Sequence, residues 1–264
     1  MGVVAGAAVG LGAAASMPVA HASGGFQLEP VHPNWHHNSS WAAHFDARAL
    51  RRGYEVYRQI CSTCHSMRFL NFRNLVGVTH SEAQAKLIAQ TYEFKDGPND
   101  QGEYFERKGR LTDPFPSPYE NNEQGRMANG GALPPDLSLM AKARPGGEDY
   151  IFSLLTGYRP QPAGVNLRSG LHYNPYFPDG AISMGPPLTD DNLIENEDGT
   201  PSSVPQMASD VSAFLTWAAE PHNNARKFMI TKFAIGLFFA GNFCYYWKCH
   251  RWSMLKNRRI YWIK

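Results

Sequence analysis

The sequence predicts a mainly α, loop-rich domain followed by a single C-terminal transmembrane helix. Three observations carry this. Apolar residues recur at helical spacing in four separate segments, and no stretch alternates convincingly with the two-residue period of a strand. Glycine and proline supply 24 and 19 of the 264 residues, too many for a regular sheet protein and enough for long irregular connections. Near the C-terminus the run "FMITKFAIGLFFAGNFCYYW" is apolar for twenty residues.

Residues 1–22, small and apolar, end in Ala20-His21-Ala22, which resembles a processing site. They read as a targeting segment that is removed, without the basic front of a full signal. Residues 23–46 are rich in Pro, His and Trp and read as an irregular arm. His32, His36 and His37 invite a metal reading, but no further ligand stands nearby, so packing or surface roles are expected.

The first helix is expected over 47–60, with Asp46 as N-cap and Leu50, Tyr54, Tyr57 and Ile60 on one face. A second is expected over 81–94, capped by Ser81. Residues 95–146 are turn-rich. A third helix fits Glu148–Leu155, and 157–204 is again mostly loop. The fourth runs from about Gln206 to Ala219, with Val211, Phe214, Leu215 and Ala218 along one face.

Phe228–Trp247 is the membrane element. At 1.5 Å per residue, twenty residues span roughly 30 Å of hydrocarbon. Lys232 lies near one end, where its stem can snorkel, and Tyr245, Tyr246 and Trp247 form an aromatic belt at the other. Lys248, Arg251, Lys256, Arg258 and Arg259 follow. All 23 acidic residues precede Pro221 together with 16 of the 25 Lys and Arg, so the head carries −7 and the remainder +9. This asymmetry keeps the tail on the matrix or synthesis side and sends the acidic head across. The chain divides into 1–22, a head of 23–225, a membrane helix of 226–248 and a basic tail of 249–264.

The chemistry is concentrated at "ICSTCHSMRF", where Cys61, Cys64 and His65 form the C-x-x-C-H signature of covalent c-type haem attachment. On a helical turn both cysteines face one way and reach the two vinyl groups, while His65 turns its imidazole to the iron. A closed zinc site needs about four ligands, and the other cysteines, Cys244 and Cys249, lie in or beside the membrane element. A thioredoxin-like pair would need a βαβ context that is absent. One haem also explains the long loops, since it supplies core surface that the chain lacks. The fold class is thus a loop-rich c-type cytochrome domain wrapped on one haem.

A sixth ligand separates a carrier from a haem enzyme with an open iron. Met127, Met140, Met184 and Met207 are the methionines able to lie opposite His65. Met184 stands in "AISMGPPLTD", where Pro186 and Pro187 stiffen the loop. Spacing alone leaves the choice among the four open.

The stretches "RRGYEVYRQICSTCHSM", "NGGALPPDLS", "GGEDYIFSLLTGY", "NPYFPDGAISMGPPL" and "FLTWAAEP" occur in this order between about Trp35 and Trp252, and together they resemble the cytochrome c1 family, the haem subunits of the cytochrome bc1 complex. The resemblance implies that Cys61 and Cys64 attach the haem, that His65 and Met184 are its axial ligands, and that Arg144 and Tyr150 lie near its propionates. It implies electron transfer from a Rieske iron–sulfur protein to soluble cytochrome c. It also implies cytochrome b and other complex III subunits as neighbours in a dimeric complex. The expected location is the mitochondrial inner membrane, with the haem domain in the intermembrane space, the tail on the matrix side and membrane lipid around the helix. No nucleic-acid partner is expected. Two acidic runs, Asp190, Asp191, Glu195, Glu197, Asp198 and Glu93, Asp96, Asp100, Glu103, Glu106, are expected to attract a basic acceptor. The fit is to the compact mitochondrial form. A peroxidase-like enzyme with an open iron is the principal rival.

Overall fold

The structure is a computed structural model that describes residues 27–259 except Asn192. The apolar segment 1–22 and the last five residues of the basic tail lie outside the described residues. Helix α1, Ala47–Gln59, starts where the Asp46 carboxylate accepts the Arg48 N–H at 2.9 Å. Leu50, Tyr54 and Tyr57 are buried along its inner face, as their spacing predicts. Helix α2, Glu82–Gln90, opens with Ser81 and Gln84 capping each other's backbone.

Helix α2 stops four residues before the expected end. Glu93–Asp96 (β1) instead pairs antiparallel with Phe105–Lys108 (β2). Arg107 clamps this ribbon by reaching both Asp96 and Asp113. A four-residue strand held by an ion cluster leaves no two-residue hydrophobic period, which is why the sequence shows none. The turn-rich stretch 95–146 also contains two short helices, α3 (Asn122–Ala128) and α4 (Met140–Ala143).

Helix α5, Gly147–Thr156, carries Glu148 and Asp149 in its first turn, where the helix dipole favours acids. A two-residue ribbon follows, His172–Tyr173 (β3) against Ala181–Ile182 (β4). Helix α6, Val204–Ala219, begins two residues earlier than expected because Ser203 caps it and Pro205 is tolerated in its first turn. Among the described residues the fold is therefore mainly helical, with two small ribbons.

Helix α6 is the central element, with α1, α4 and α5 packed on it. Tyr54, Tyr57, Phe72, Phe115 and Phe214 join in one aromatic core, with ring centroids 5.1–6.0 Å apart. Such pairs add about 0.5–1.5 kcal/mol each beyond their buried area.

The arm before α1 is held by α5. Asp149 accepts from Trp35 Nε1 at 2.6 Å and lies 2.7 Å from His32 Nδ1. Glu148 Oε1 accepts from Asn38 Nδ2 at 2.6 Å, and its Oε2 lies 2.6 Å from His37 Nε2. Of the arm histidines, His37 is buried in this contact, whereas His32 and His36 are exposed.

Helix α7, Asn223–Lys256, runs unbroken for 34 residues, beginning before and ending after the membrane stretch expected at 226–248. Its most apolar window has mean hydropathy 1.4 and no buried residue. A helix with this composition and no protein cover fits a bilayer span. Its base is tied to the head. Arg226 pairs with Glu220 at 2.7 Å, and Lys227 Nζ donates to the carbonyls of His37 (2.7 Å) and Ala43 (3.0 Å). Trp41 Nε1 donates to Thr231 Oγ1 at 2.6 Å.

Candidate functional site

A cavity of about 620 Å³ opens between the end of α1, the 129–135 loop, α5 and the 181–187 loop. Cys61, Cys64, His65, Arg144, Tyr150 and Met184, six residues singled out from the sequence, all line it. Val211 and Leu215 of α6, Leu154 of α5, Ile182 and Leu137 supply apolar walls.

The cysteine turn follows directly from α1. Ile60 closes the helix on the Val56 carbonyl at 3.0 Å, and Cys61–Thr63 continue as a single tight turn. Cys64 and His65 both donate their N–H groups to the Cys61 carbonyl, at 3.2 and 2.9 Å. One carbonyl thereby gathers the three side chains on the cavity side. Burial, with a smaller contribution from Cys64, pushes the Cys61 thiol up to about 12. Cys244 and Cys249 lie in α7 and do not line the cavity.

His65 is held by the Pro135 carbonyl, which accepts from Nδ1 at 2.8 Å. That bond places the proton on Nδ1 and leaves the Nε2 lone pair available to a metal. Burial lowers the imidazole below its ordinary value, which the Pro135 carbonyl and Asp136 only partly oppose. His65 is thus a neutral nitrogen donor.

Of the four methionines left open by spacing, Met184 and Met140 line the cavity. Met127 is 85 % exposed, and Met207 is buried in the core outside the cavity lining. The loop carrying Met184 is set by the β3–β4 ribbon and by Tyr158, whose hydroxyl donates to the Met184 carbonyl at 3.0 Å. Tyr158 was not legible as a site residue, because a bond to a backbone carbonyl leaves no motif.

Arg144 is exposed at the rim and makes no ion pair among the described residues. Burial pushes the Tyr150 phenol up, while the nearby Arg144 pulls it down. The cavity therefore has one cationic, hydrogen-bonding edge on otherwise apolar walls.

Four carboxylates of the acidic runs have partners within the chain. Arg51 pairs with Glu197 at 2.5 Å, and Arg52 binds Asp198 at 2.6 Å. Asp191 accepts the Val204 N–H at 2.7 Å, and Asp96 is held by Arg107. These four carboxylates are thus engaged at the surface of the head. Among the described residues Glu93, Asp100, Glu103, Glu106, Asp190 and Glu195 make no ion pair and are exposed.

The residues fit a covalently held haem. An apolar slot of this size, two cysteine sulfurs on one turn, an imidazole with a fixed tautomer, a thioether and an arginine at the rim match the parts of that group. Residues 35–255 match the model of the Cytochrome C1 family. "Cytochrome c1-2, heme protein, mitochondrial" of Solanum tuberosum is 50 % identical over 231 residues, covering 88 % of each chain. "Cytochrome b-c1 complex catalytic subunit, mitochondrial" of Candida albicans is 50 % identical over 234 residues, covering 88 % of this chain and 81 % of the relative. "Cytochrome c1, heme protein, mitochondrial" of Schizosaccharomyces pombe is 47 % identical over 217 residues, covering 82 % and 70 %.

Proposed function

The chain belongs to the cytochrome c1 family, and from that premise we propose that it is the haem-bearing electron-transfer subunit of mitochondrial ubiquinol–cytochrome c reductase. The observation that carries this reading is the convergence of Cys61, Cys64, His65 and Met184 on one largely apolar cavity.

A bound haem supplies an iron that gains and loses one electron. Cys61 and Cys64 would hold it as thioethers, one haem per chain. His65 Nε2 and the Met184 sulfur would hold its iron, the thioether favouring the reduced state and raising the potential. The Pro135 carbonyl keeps His65 in the donor tautomer. Leu137, Leu154, Val211 and Leu215 exclude water, so the surroundings reorganise little when the charge changes. Arg144 and Tyr150 serve the propionates at the rim, where a guanidinium and a phenol can bind carboxylates. No acid, base or nucleophile is required. The chain alone is a carrier, and it takes part in catalysis as the redox subunit of its complex.

Electrons arrive from a Rieske iron–sulfur protein and leave to soluble cytochrome c. The exposed carboxylates Glu93, Asp100, Glu103, Glu106, Asp190 and Glu195 favour encounter with a basic acceptor. Cytochrome b and other complex III subunits surround the chain in a dimeric assembly. Helix α7 crosses the inner mitochondrial membrane in contact with lipid, with the head in the intermembrane space and the basic end on the matrix side.

The test is a reduced-minus-oxidised spectrum of the tagged chain purified in mild detergent. A c-type band accompanied by b-type bands, all reduced by quinol, is the expected result. A c-type band alone, however gentle the detergent, overturns the assignment to the complex.

A further inference from the structure

The segment after the cysteines runs beside the proline-rich loop 134–138, although the two lie about seventy residues apart. Besides the bond from His65 to Pro135, Leu137 N–H donates to the Ser66 carbonyl at 2.9 Å, and Phe69 N–H donates to Ser138 Oγ at 3.1 Å. Asp136 completes the lacing with both oxygens. Its Oδ2 accepts from Ser66 Oγ at 2.8 Å and from Arg68 N–H at 2.9 Å, and its Oδ1 accepts from Ser138 N–H at 2.9 Å.

Pro134 and Pro135 have no N–H with which to anchor their own backbone. The next residue, Asp136, anchors it instead. None of its partners is a charged side chain, so its role is geometric and not that of an ion pair. Burial pushes its carboxyl up, but the bonds from Ser138, Arg68 and Ser66 outweigh this and hold it below the usual carboxylate range. Ser66 is 9 % exposed and Ser138 is fully buried, so little water is available to replace these bonds.

We propose that Asp136 is a positioning residue for His65: it fixes the Pro135 carbonyl on the Nδ1 side of the imidazole and so sets the direction in which Nε2 faces the cavity. The Nδ1–H to carbonyl bond controls both the plane of the ring and its basicity. The inference rests on His65 being an iron ligand.

The test is electron paramagnetic resonance of the ferric chain in the purified complex. The g anisotropy of a low-spin haem responds to the orientation and donor strength of the imidazole, the two properties that the Nδ1 bond controls. Asp136→Asn replaces one acceptor oxygen by an NH2 group that faces N–H and O–H donors. Ser66→Ala removes one bond without changing charge. Both variants are expected to keep the covalent c-type band, and both to shift the low-field g value or split it into two signals, Asp136→Asn the more. The potential should rise in both, because His65 becomes a weaker donor. Asp136→Asn also loses a negative charge, so Ser66→Ala decides that readout, and Ser66→Ala alone decides the test if Asp136→Asn does not accumulate. Unchanged g values in the variants overturn the proposal while leaving His65 ligation intact. A wild-type ferric chain with no low-spin, histidine-ligated signal overturns the ligation itself, and the proposal with it.

Discussion

Gly53 in α1 lies directly against Asp210 in α6: a Cβ at position 53 would stand 2.1 Å from the Asp210 carbonyl oxygen and 2.7 Å from Phe214 Cβ. The neighbouring Arg52 then grips the same residue's carboxylate in a two-pronged bond, Nε to Oδ2 at 2.8 Å and Nη2 to Oδ1 at 3.0 Å. Close backbone approach and side-chain clamp together fix where α1 lies against α6, and Cys61 follows the end of α1. Gly53→Ala is therefore expected to destabilise the head by about 1–3 kcal/mol, the cost of overpacking a tight contact, and Gly53→Val by more. Both should also lower the yield of covalently loaded chain. Urea unfolding in detergent, followed by aromatic circular dichroism, measures the first effect. A wild-type midpoint for Gly53→Val would mean that the two helices are not in this contact.

Two methionines face the cavity, which permits a direct comparison. Met184→Leu is expected to abolish the long-wavelength absorption of a thioether-ligated ferric haem. It should also lower the potential, since methionine raises it, and let the reduced protein bind carbon monoxide. Met140→Leu should leave all three unchanged. The opposite pattern would assign the ligand to Met140.

Asp198 gives a pH signature. The Thr200 backbone N–H, and to a lesser degree Arg52, hold its carboxyl down to about 2 against an opposing burial effect. A depressed folded-state value stabilises the protein above the ordinary carboxylate range, and that contribution is lost as pH falls from about 4 to about 2. Asp198→Asn should thus be less stable than wild type at neutral pH, by an amount that shrinks toward zero at pH 2. Unfolding midpoints of the two proteins across that range check this. A constant gap would show that the carboxylate's charge is not what matters.

The arm offers a contrast between a buried and an exposed pair. His37 and Glu148 meet at 2.6 Å with side chains 4 % and 10 % exposed, whereas the His32 side chain beside Asp149 is 67 % exposed. His37→Ala leaves Glu148 Oε2 buried with only Asn38 on the carboxylate's other oxygen and empties a packed site, and is expected to cost about 1–3 kcal/mol. It should also make the 36–46 stretch sensitive to protease, because the His37 carbonyl accepts from Lys227 at the base of α7. His32→Ala should leave the unfolding midpoint unmoved. Equal effects from both substitutions would mean that burial does not set the strength of these contacts.

The sequence by itself determined the parts whose causes are local. Helix α1 was legible because Asp46 caps it and Leu50, Tyr54 and Tyr57 repeat at its period. The membrane helix was legible because solvation by lipid acts on composition, residue by residue. Cys61, Cys64 and His65 were legible because the C-x-x-C-H signature is contiguous in the sequence. Family resemblance, not spacing, singled out Met184, Arg144 and Tyr150.

Only the tertiary structure decided the rest. It stopped α2 at Gln90 in favour of a ribbon, because Arg107 joins Asp96 to Asp113 across loops. It gave the exposed Glu197, Asp198 and Asp191 partners within the chain. It also brought Pro135 to His65, Asp136 to Ser66 and Tyr158 to Met184. These bonds join groups as far as seventy residues apart, and most use a backbone carbonyl or N–H that every residue possesses. Nothing in the residue type marks such a partner until packing brings the two segments together.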